Sequence, residues 1–547
     1  MFRVKRHLET NRKDGVRMLK SNLVRSIPLL ASVYGLSACA YFAPAHTQAS
    51  DAVVVEASAQ KWERESVTPV QAEDSYYVKA KAAIDKKIEA RQSKQAKNVI
   101  LFVGDGMGVS TITAARIYAG QQKGVDGESY QLAMDTLPWS ALSKTYSHDF
   151  QIADSSATAT AMTAGVKVPS GTVGLLQDVA RGNCATEEGN ETDSLFAIAE
   201  EAGLATGVIS TARLTHATPA STYAQSADRN WEDDTEVGAD CRDIARQFIE
   251  WPHGDGFEVA LGGGRRHFMP ATMADPEYED KTGRRADGRD LTKEWVAKSY
   301  THAFIYDKAG FEAIDFNSDA RVLGLFEPSH MQYALDNAED GAGEPTLADL
   351  TAAAITRLSR EENGYILMVE GGRVDHAHHA GNAARALGDA VALDDAVAKA
   401  LEMTSDKETL ILVTADHSHT LTIAGYAKRN NPILGLSASD FALIPGADGK
   451  PYTTLGYANG PGSACAPQET DENGEVTGSD CERSDLSDVD TTEKNFQQQS
   501  LVPLGSETHA GEDVALLASG PGANLVSGVM EQNEIFHVMA RSLGLVE

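Results

Sequence analysis

The chain is poor in cysteine and in basic residues, and it has no long apolar run. Its 547 residues include five cysteines, none of them near the Asp, Glu and His clusters described below, which argues against a zinc–thiolate site. Asp and Glu number 79 against 48 Lys and Arg, for a net charge of −31. This balance argues against nucleic acid as a partner, because binding a phosphate backbone needs basic patches.

The N-terminal region predicts export. A basic stretch precedes a modest apolar run at 27–36, which is too short to span a bilayer and is typical of a secretory signal. Leu36-Ser-Ala-Cys39 resembles a bacterial lipobox, which would leave Cys39 as the lipidated first residue of the mature chain. Cleavage after Ala40 would instead release a soluble protein, and Met18 is an alternative start to Met1. We therefore expect a periplasmic or cell-surface protein, lipid-anchored through Cys39 or otherwise secreted.

From Asn98 onward, strand-like apolar runs alternate with helical patterns. This alternation predicts an α/β fold with a doubly wound, mostly parallel central sheet flanked by helices. The alternation of strands and helices stops at 427–498. This stretch is rich in Gly, Pro, Asp, Ser and Thr, which predicts an inserted, loop-rich subdomain. The expected segments are a signal peptide with lipobox at 1–39, a tether and N-terminal helix at 40–95, the first part of the main domain at 96–426, the insertion at 427–498 and the C-terminal part of the main domain at 499–547.

Four clusters of Asp, Glu and His lie beside the apolar runs. Three of them, at 104–106, 370–379 and 415–419, end a run, and the fourth, at 507–513, precedes another. The carboxyl ends of strands are where an open α/β sheet collects its ligands. Oxygen and nitrogen ligands without thiolate suit Zn²⁺ in a catalytic site. Together the clusters predict a metal-dependent hydrolase.

Ser155 is the candidate nucleophile. Asp154 as N-cap and Gly165 as C-terminal stop predict a helix whose first turn contains Ser155. A helix N-terminus favours an alkoxide and an incoming phosphate. No base is obvious beside Ser155, so we expect metal coordination to activate it.

The spacing of the candidate ligands suggests more than one ion. Asp375 and His379, four residues apart, would face one ion from a helical turn. The adjacent Asp416 and His417 could serve a second ion, and two ions suit in-line displacement at phosphorus. Asp105 and Glu370 are harder oxygen ligands that suit Mg²⁺.

From about Asn98 to the C-terminus, the chain resembles the alkaline phosphatases. The resemblance rests on several independent motifs, whose combination is highly specific. They lie at 98–108, 154–161, 216–220, 369–379, 414–419 and 507–513.

The resemblance implies a phosphate monoesterase that uses two Zn²⁺ and one Mg²⁺. Ser155 would be phosphorylated during turnover. Arg229 would grip two phosphate oxygens, for which its planar fork is suited. The implied ligands are Asp375, His379 and His509 for one zinc ion, Asp105, Asp416 and His417 for the other, and Asp105, Thr218 and Glu370 for magnesium.

Further details resemble the animal enzymes more than the enterobacterial type. His216 and His376 stand where the enterobacterial type has Asp and Lys, and both would line the rim of the site. The insertion resembles the crown near the animal enzymes' dimer interface, so a homodimer is expected. The residues that resemble the animal calcium site are Glu277, Phe326, Glu327 and Glu344. Spacing alone could pair the four cysteines besides Cys39 in several ways. They fall near the animal pairings, which are Cys184–Cys241 and Cys465–Cys481.

Two other functions remain open on the sequence. A phosphodiesterase or sulfatase on the same fold is one, because metal ligands alone do not set the ester class. An acidic surface protein that sequesters divalent metal is the other, although the motif around Ser155 speaks against it. Ser156 stands where the family often has Ala and is small enough to leave the nucleophile untouched.

Overall fold

The apolar runs form the strands of one ten-stranded sheet in the computed structural model, which describes residues 95–238, 241–464 and 482–545. All the described residues belong to one compact unit. The expected signal peptide and tether up to residue 94, with Cys39, lie outside the described residues, as do Cys465 and Cys481.

The described residues contain fifteen strands and eleven α-helices. The strands are β1 (Asn98–Gly104), β2 (Trp139–Lys144), β3 (Ala205–Arg213), β4 (Val259–Gly263), β5 (His302–Ile305), β6 (Arg321–Leu325), β7 (Tyr365–Gly371), β8 (Thr409–Ala415), β9 (Ser418–His419), β10 (Leu421–Ile423), β11 (Leu455–Gly460), β12 (Ser500–Pro503), β13 (His509–Ala510), β14 (Val514–Ser519) and β15 (Gly528–Glu531). The helices are α1 (Val109–Gln122), α2 (Ser155–Ala164), α3 (Leu195–Glu201), α4 (Ala217–Ala220), α5 (Ile244–Ile249), α6 (Leu291–Ala297), α7 (Lys308–Ala313), α8 (Leu347–Leu358), α9 (Arg373–His379), α10 (Ala383–Met403) and α11 (Glu534–Leu543).

The strand order in the large sheet is β15-β2-β14-β8-β1-β7-β3-β4-β6-β5. From β8 to β5 every neighbouring pair is parallel. At the other edge β14 runs antiparallel to both β8 and β2. The predicted mostly parallel α/β fold is confirmed.

Strand β1 shows why the sheet is covered on both faces. Ile100 and Phe102 belong to one hydrophobic core, which includes residues of α1, α8 and α10. Val99, Leu101 and Val103 belong to a second core with residues of α2, α3, α5 and α11. Because side chains alternate between the two faces of a strand, a continuous apolar run needs helices on both sides, and this is the doubly wound arrangement.

The central strands end level with one another. Gly104 at the end of β1 is in register with Gly371 of β7 and Ala415 of β8. The residues that follow, among them Asp105 and Asp416, therefore lie at one edge of the sheet.

Helix α2 has the predicted boundaries. The side chain of Asp154 caps it by accepting a hydrogen bond from the backbone N of Ala157, and Gly165 ends it in a left-handed conformation, at φ +75°. Ser155 is thus the first helical residue, as predicted.

Two small sheets accompany the large one. Strands β10, β11 and β12 form the first, and only β11 lies within the expected insertion at 427–498, so this sheet ties the insertion to residues on both of its sides. Strands β9 and β13 pair antiparallel in the second. The predicted Cys184–Cys241 disulfide is present. None of the helices in the described residues has the length and apolar character needed to cross a bilayer.

A pair of buried carboxylates lies at the start of β3 and β4. Glu200 accepts hydrogen bonds from the Thr206 hydroxyl at 2.6 Å and the Gly256 backbone N at 3.3 Å, and Glu258 pairs with Arg321 at 2.8 Å. Burial above all, together with the nearby Glu258 and Asp255, raises the pKa of Glu200 to about 8 against the opposing effects of Thr206 and Arg321.

Glu200→Gln is therefore expected to stabilise the protein increasingly as the pH rises. A carboxyl whose pKa is raised by folding contributes stability below its ordinary pKa of 4.5 and loses it as pH rises through about 8. The advantage of the amide should grow by roughly 2–3 kcal/mol between pH 6 and pH 9 and then level off. Unfolding of the wild type and the variant at several pH values tests this, with the exposed neighbour Glu201→Gln as control. A constant difference across this range would contradict it.

Candidate metal centre and nucleophile

The turn after β1 brings the chain close to the candidate metal ligands. Gly106 has φ +69°, and a Cβ there would lie 2.3 Å from the ring of His419. Its backbone N donates a hydrogen bond to Asp416 Oδ1 at 2.9 Å. The Gly-rich turn that follows Asp105 thus allows a close approach between two of the clusters.

The first group of possible ligands is Asp375, His379, His419 and His509, whose ligand atoms lie within 4.8 Å of one another. His379 Nε2 and His509 Nε2 lie 3.4 and 3.3 Å from Asp375 Oδ1 and 3.1 Å from each other. Helix α9 provides Asp375 and His379 one turn apart, and the β9–β13 pair sets His509 opposite His419. The three residues that the resemblance assigns to one zinc ion are brought together.

His419 and Glu507 lie in two of the sequence motifs, at 414–419 and 507–513, although the sequence assigns neither of them a role. His419 Nε2 lies 2.7 Å from Asp375 Oδ1, and its Nδ1 lies 2.5 Å from Glu507 Oε2. Burial lowers the pKa of His419, but the two carboxylates outweigh it and raise the pKa to about 9. Burial raises the pKa of Asp375, yet hydrogen bonds from His419 and His509 hold it well below its ordinary value. His419 therefore fixes the orientation of Asp375.

The second group surrounds Ser155. Its Oγ lies 3.2 Å from His417 Nε2 and 3.4 Å from Asp105 Oδ1. His417 Nε2 also lies 3.3 Å from Asp416 Oδ2 and 3.4 Å from Asp105 Oδ1. All four side chains are buried. The nucleophile candidate therefore touches two of the three residues assigned to the second zinc ion.

The third group contains Asp105, His216 and Glu370, again within 4.8 Å. Asp105 Oδ2, Glu370 Oε1 and the hydroxyl of Thr218 are buried without a hydrogen-bond partner. Burial raises the pKa of Glu370 to about 7, and burial together with Asp416, Asp375 and Glu370 raises that of Asp105 well above its ordinary value. Oxygen atoms without a hydrogen-bond partner, close to other carboxylates, are ligands that suit a hard cation.

Arg229 lies beside the N-terminus of α2. Its Nη1 donates to Asp154 Oδ2 at 2.9 Å, and its Nη2 lies 3.0 Å from His216 Nε2. Burial raises the pKa of Asp154, but Arg229 and a hydrogen bond from Ser156 lower it to about 2. The guanidinium is therefore held at the N-cap of α2, next in the chain to Ser155.

A third histidine, His330, lies beside His216 and His376. The ring of His330 lies 4.0 Å from that of His376 and 5.4 Å from that of His216, measured between centroids. Its position in a loop after β6 gave no signal in the sequence.

Two of the residues expected at a calcium site, Glu277 and Glu327, lie close to a third carboxylate, that of Asp340. Glu277 and Glu327 come within 4.8 Å of Asp340, whose two carboxylate oxygens are buried without a partner. Glu344 lies outside this group and accepts a hydrogen bond from the backbone N of Gln332 at 2.7 Å.

Arg265 occupies part of the expected calcium site. Its Nη1 donates to the carbonyl oxygen of Phe326 at 2.7 Å, and its Nη2 donates to Glu277 at 2.5 Å. The carbonyl of Phe326, expected as a ligand, is therefore engaged by a cation of the chain itself.

Comparison with known proteins gives one consistent family. The family model described as alkaline phosphatase matches residues 96–545. The chain is 43% identical over 465 residues to the tissue-nonspecific alkaline phosphatase of Rattus norvegicus, covering 83% of this chain and 85% of that protein. It is 42% identical over 473 residues to the alkaline phosphatase of Gadus morhua, covering 84% and 95%.

A solved structure of another protein has a fold similar to that of this chain. The alkaline phosphatase of Thermus thermophilus is 26% identical, with a TM-score of 0.59, and the match covers 84% of this chain and 94% of that one. The match to the family model, the identity with the curated relatives and the clustered acid and histidine side chains agree with the resemblance seen in the sequence. The chain belongs to the alkaline phosphatase family and is a phosphomonoester hydrolase.

Proposed function

We propose that the enzyme hydrolyses phosphate monoesters through a phosphoserine at Ser155. The observation that carries this proposal is the position of Ser155, which is the first residue of α2 with its Oγ between His417 and Asp105. In the first step Ser155 Oγ gives up its proton and bonds to phosphorus, while the ester oxygen leaves with its electron pair and takes up a proton to become the alcohol. In the second step water attacks phosphorus and gives up a proton, the bond to Ser155 breaks, Ser155 Oγ takes a proton back and inorganic phosphate is released.

Arg229 binds the phosphoryl group in both steps. Its guanidinium is held by Asp154 and His216, so little side-chain entropy is lost when phosphate binds. A planar guanidinium offers two parallel N–H groups to two non-bridging oxygens. A diester has only one negative charge on phosphorus, so this contact favours the monoester.

The three groups of buried acids and histidines would hold the metal ions. Zn²⁺ suits the set Asp375, His379 and His509 and the set Asp105, Asp416 and His417, and Mg²⁺ suits Asp105, Thr218 and Glu370. When bound, such ions lower the pKa of a coordinated oxygen and neutralise charge on the phosphoryl group.

A fourth site for Ca²⁺ is proposed at Glu277, Glu327 and Asp340. The unpartnered oxygens of Asp340 support it, with Asp340 as a ligand beside Glu277 and Glu327. Calcium titration of wild type and Asp340→Asn, followed by thermal unfolding, tests it. Equal stabilisation of both proteins by Ca²⁺ would exclude Asp340 from the site.

We also propose the finer features that the resemblance implies. These are a homodimer that uses the insertion at 427–498 as its crown, and an exported protein anchored through Cys39. Sedimentation of the purified enzyme tests the dimer. Membrane fractionation of wild type and Cys39→Ser tests the anchor, since the variant should lose membrane association.

Ser155→Ala is expected to lower turnover by at least about a thousandfold, because the covalent route is lost. Metal content should stay unchanged, since the alanine leaves the buried ligand residues in place. Kinetics, metal analysis and acid trapping of labelled phosphate measure the three quantities, with Thr163→Val on the same helix as control. Labelled phosphate on a peptide without Ser155 would contradict the assignment.

His216→Asp is expected to tighten Mg²⁺ binding and to reduce activation by added Mg²⁺. Burial, with Arg229 and Arg213, holds the pKa of His216 well below its ordinary value, so the ring is neutral. A hard cation prefers an anionic oxygen to a neutral imidazole.

The matched variant His216→Asn, which has the size of aspartate without its charge, should not show the tightening. Calorimetric Mg²⁺ titrations and Mg²⁺ activation curves of the three proteins measure the effect. Superimposable curves for wild type and His216→Asp would mean that the histidine is merely packed beside the loop.

A further inference from the structure

The hydroxyl of Ser156 contacts Asp154, the carboxylate that holds the guanidinium of Arg229. It donates a hydrogen bond to Asp154 Oδ2 at 2.6 Å, and Arg229 Nη1 donates to that same oxygen at 2.9 Å. Asp154 Oδ1 accepts from the backbone N of Gly171 at 3.1 Å and of Ala157 at 3.4 Å. Both carboxylate oxygens of Asp154 are thus held by donors, two to each.

Ser156 also contacts the loop that holds the backbone of Arg229. The Gly171 N donates to Ser156 Oγ at 3.0 Å, and the Gly171 carbonyl accepts from the Arg229 backbone N at 2.8 Å. Ser156, Asp154, Arg229 and Gly171 therefore form a closed ring of hydrogen bonds. Ser156 is fully buried, so water does not replace its hydroxyl in this ring.

The backbone at Gly171 explains how this ring closes. Gly171 has φ +85°, and a Cβ there would lie 2.3 Å from the guanidinium carbon of Arg181. Arg181 pairs with Asp228, the residue before Arg229, at 3.1 Å. The loop at Gly171 is thus packed, through Arg181, against the segment that carries Arg229. A shift of this loop is therefore expected to shift Arg229 as well.

We propose that Ser156 is a positioning residue for phosphate binding, which acts by fixing Asp154 and Gly171 and, through them, the guanidinium of Arg229. The proposal rests on the proposed role of Arg229 as the phosphate-binding residue. It adds that a residue differing from the Ala often found in the family tunes phosphate affinity without touching phosphate or Ser155 Oγ.

The variant Ser156→Ala tests this without leaving a buried donor unpaired. The Gly171 N keeps its bond to Asp154 Oδ1, so the variant is expected to fold. Asp154 Oδ2 loses one of its two donors, and Arg229 is fixed less firmly. We expect the inhibition constant of inorganic phosphate and the KM for a monoester to rise about 3- to 10-fold, while kcat does not fall.

Thr160→Val is the matched control. Thr160 lies one turn further along α2, is equally buried, and accepts a hydrogen bond from Gly174 of the same loop at 3.1 Å. Among the described hydrogen bonds, none joins the Thr160 side chain to Asp154. A merely structural role of the helix–loop contact predicts the same rise of the phosphate inhibition constant in both variants, and this result would overturn the proposal.

A double-mutant cycle with Arg229→Lys separates the two proposals. Lysine cannot form the two-pronged contact, so the effect of Ser156→Ala on phosphate binding should shrink below about twofold in this background. An undiminished effect would overturn the role of Ser156. If Arg229→Lys alone leaves the phosphate inhibition constant unchanged, the role proposed for Arg229 fails instead.

Discussion

Mutual repulsion among buried carboxylates is the constraint on which this active site depends. Asp105, Glu370 and Asp416 lie at one edge of the sheet, fully buried; Asp416 raises the pKa of both Asp105 and Glu370, and Glu370 raises that of Asp105. Keeping several ionised carboxylates out of water is costly unless cations compensate them. The arrangement is therefore a site built for metal ions, and its remaining features serve to hold these acids in place.

The supporting contacts divide into two sets with different tasks. On one side, Glu507 and His419 fix Asp375, so that one carboxylate of the first group has a defined orientation. On the other side, Asp154, with Ser156 and Gly171 behind it, fixes Arg229. In the function proposed above, the first set orients a metal ligand and the second orients the residue that binds the phosphoryl group. Ser155 directly follows Asp154 as the first residue of α2, with its Oγ near His417 and Asp105.

The sequence predicted those parts of the fold that depend on local patterns. Continuous apolar runs identify strands such as β1 and β8 because such strands are buried on both faces. The caps Asp154 and Gly165 identify α2 from residues within a single helix, and the spacing of Asp375 and His379 requires only one helical turn. The grouping of the metal ligands followed from the rule that strand ends collect ligands and from the resemblance to the family.

Contacts between distant, irregular segments could not be predicted in the same way. His509 lies opposite His419 in a strand pair of only two residues each, which is too short to show an alternating apolar pattern in the sequence. Asp340 joins Glu277 and Glu327 through the path of a loop, where sequence spacing carries no fixed geometry. Ser156 suits the helix by its size, whereas the role proposed for it depends on the hydrogen bonds of its hydroxyl. These are the positions at which side-chain direction, rather than pattern, decides the role.

The most direct test of this account measures metal content and ester preference on the same preparation. Wild-type enzyme is assayed with p-nitrophenyl phosphate, its bis ester and the corresponding sulfate, before and after chelation and after return of Zn²⁺ and Mg²⁺. The account predicts that the monoester is preferred by at least about a thousandfold in kcat/KM, as expected for a site that stabilises a dianion. It also predicts that chelation abolishes this activity and that the two metals restore it. Equal or faster turnover of the bis ester or sulfate, or monoester turnover that survives complete removal of metal, would contradict it.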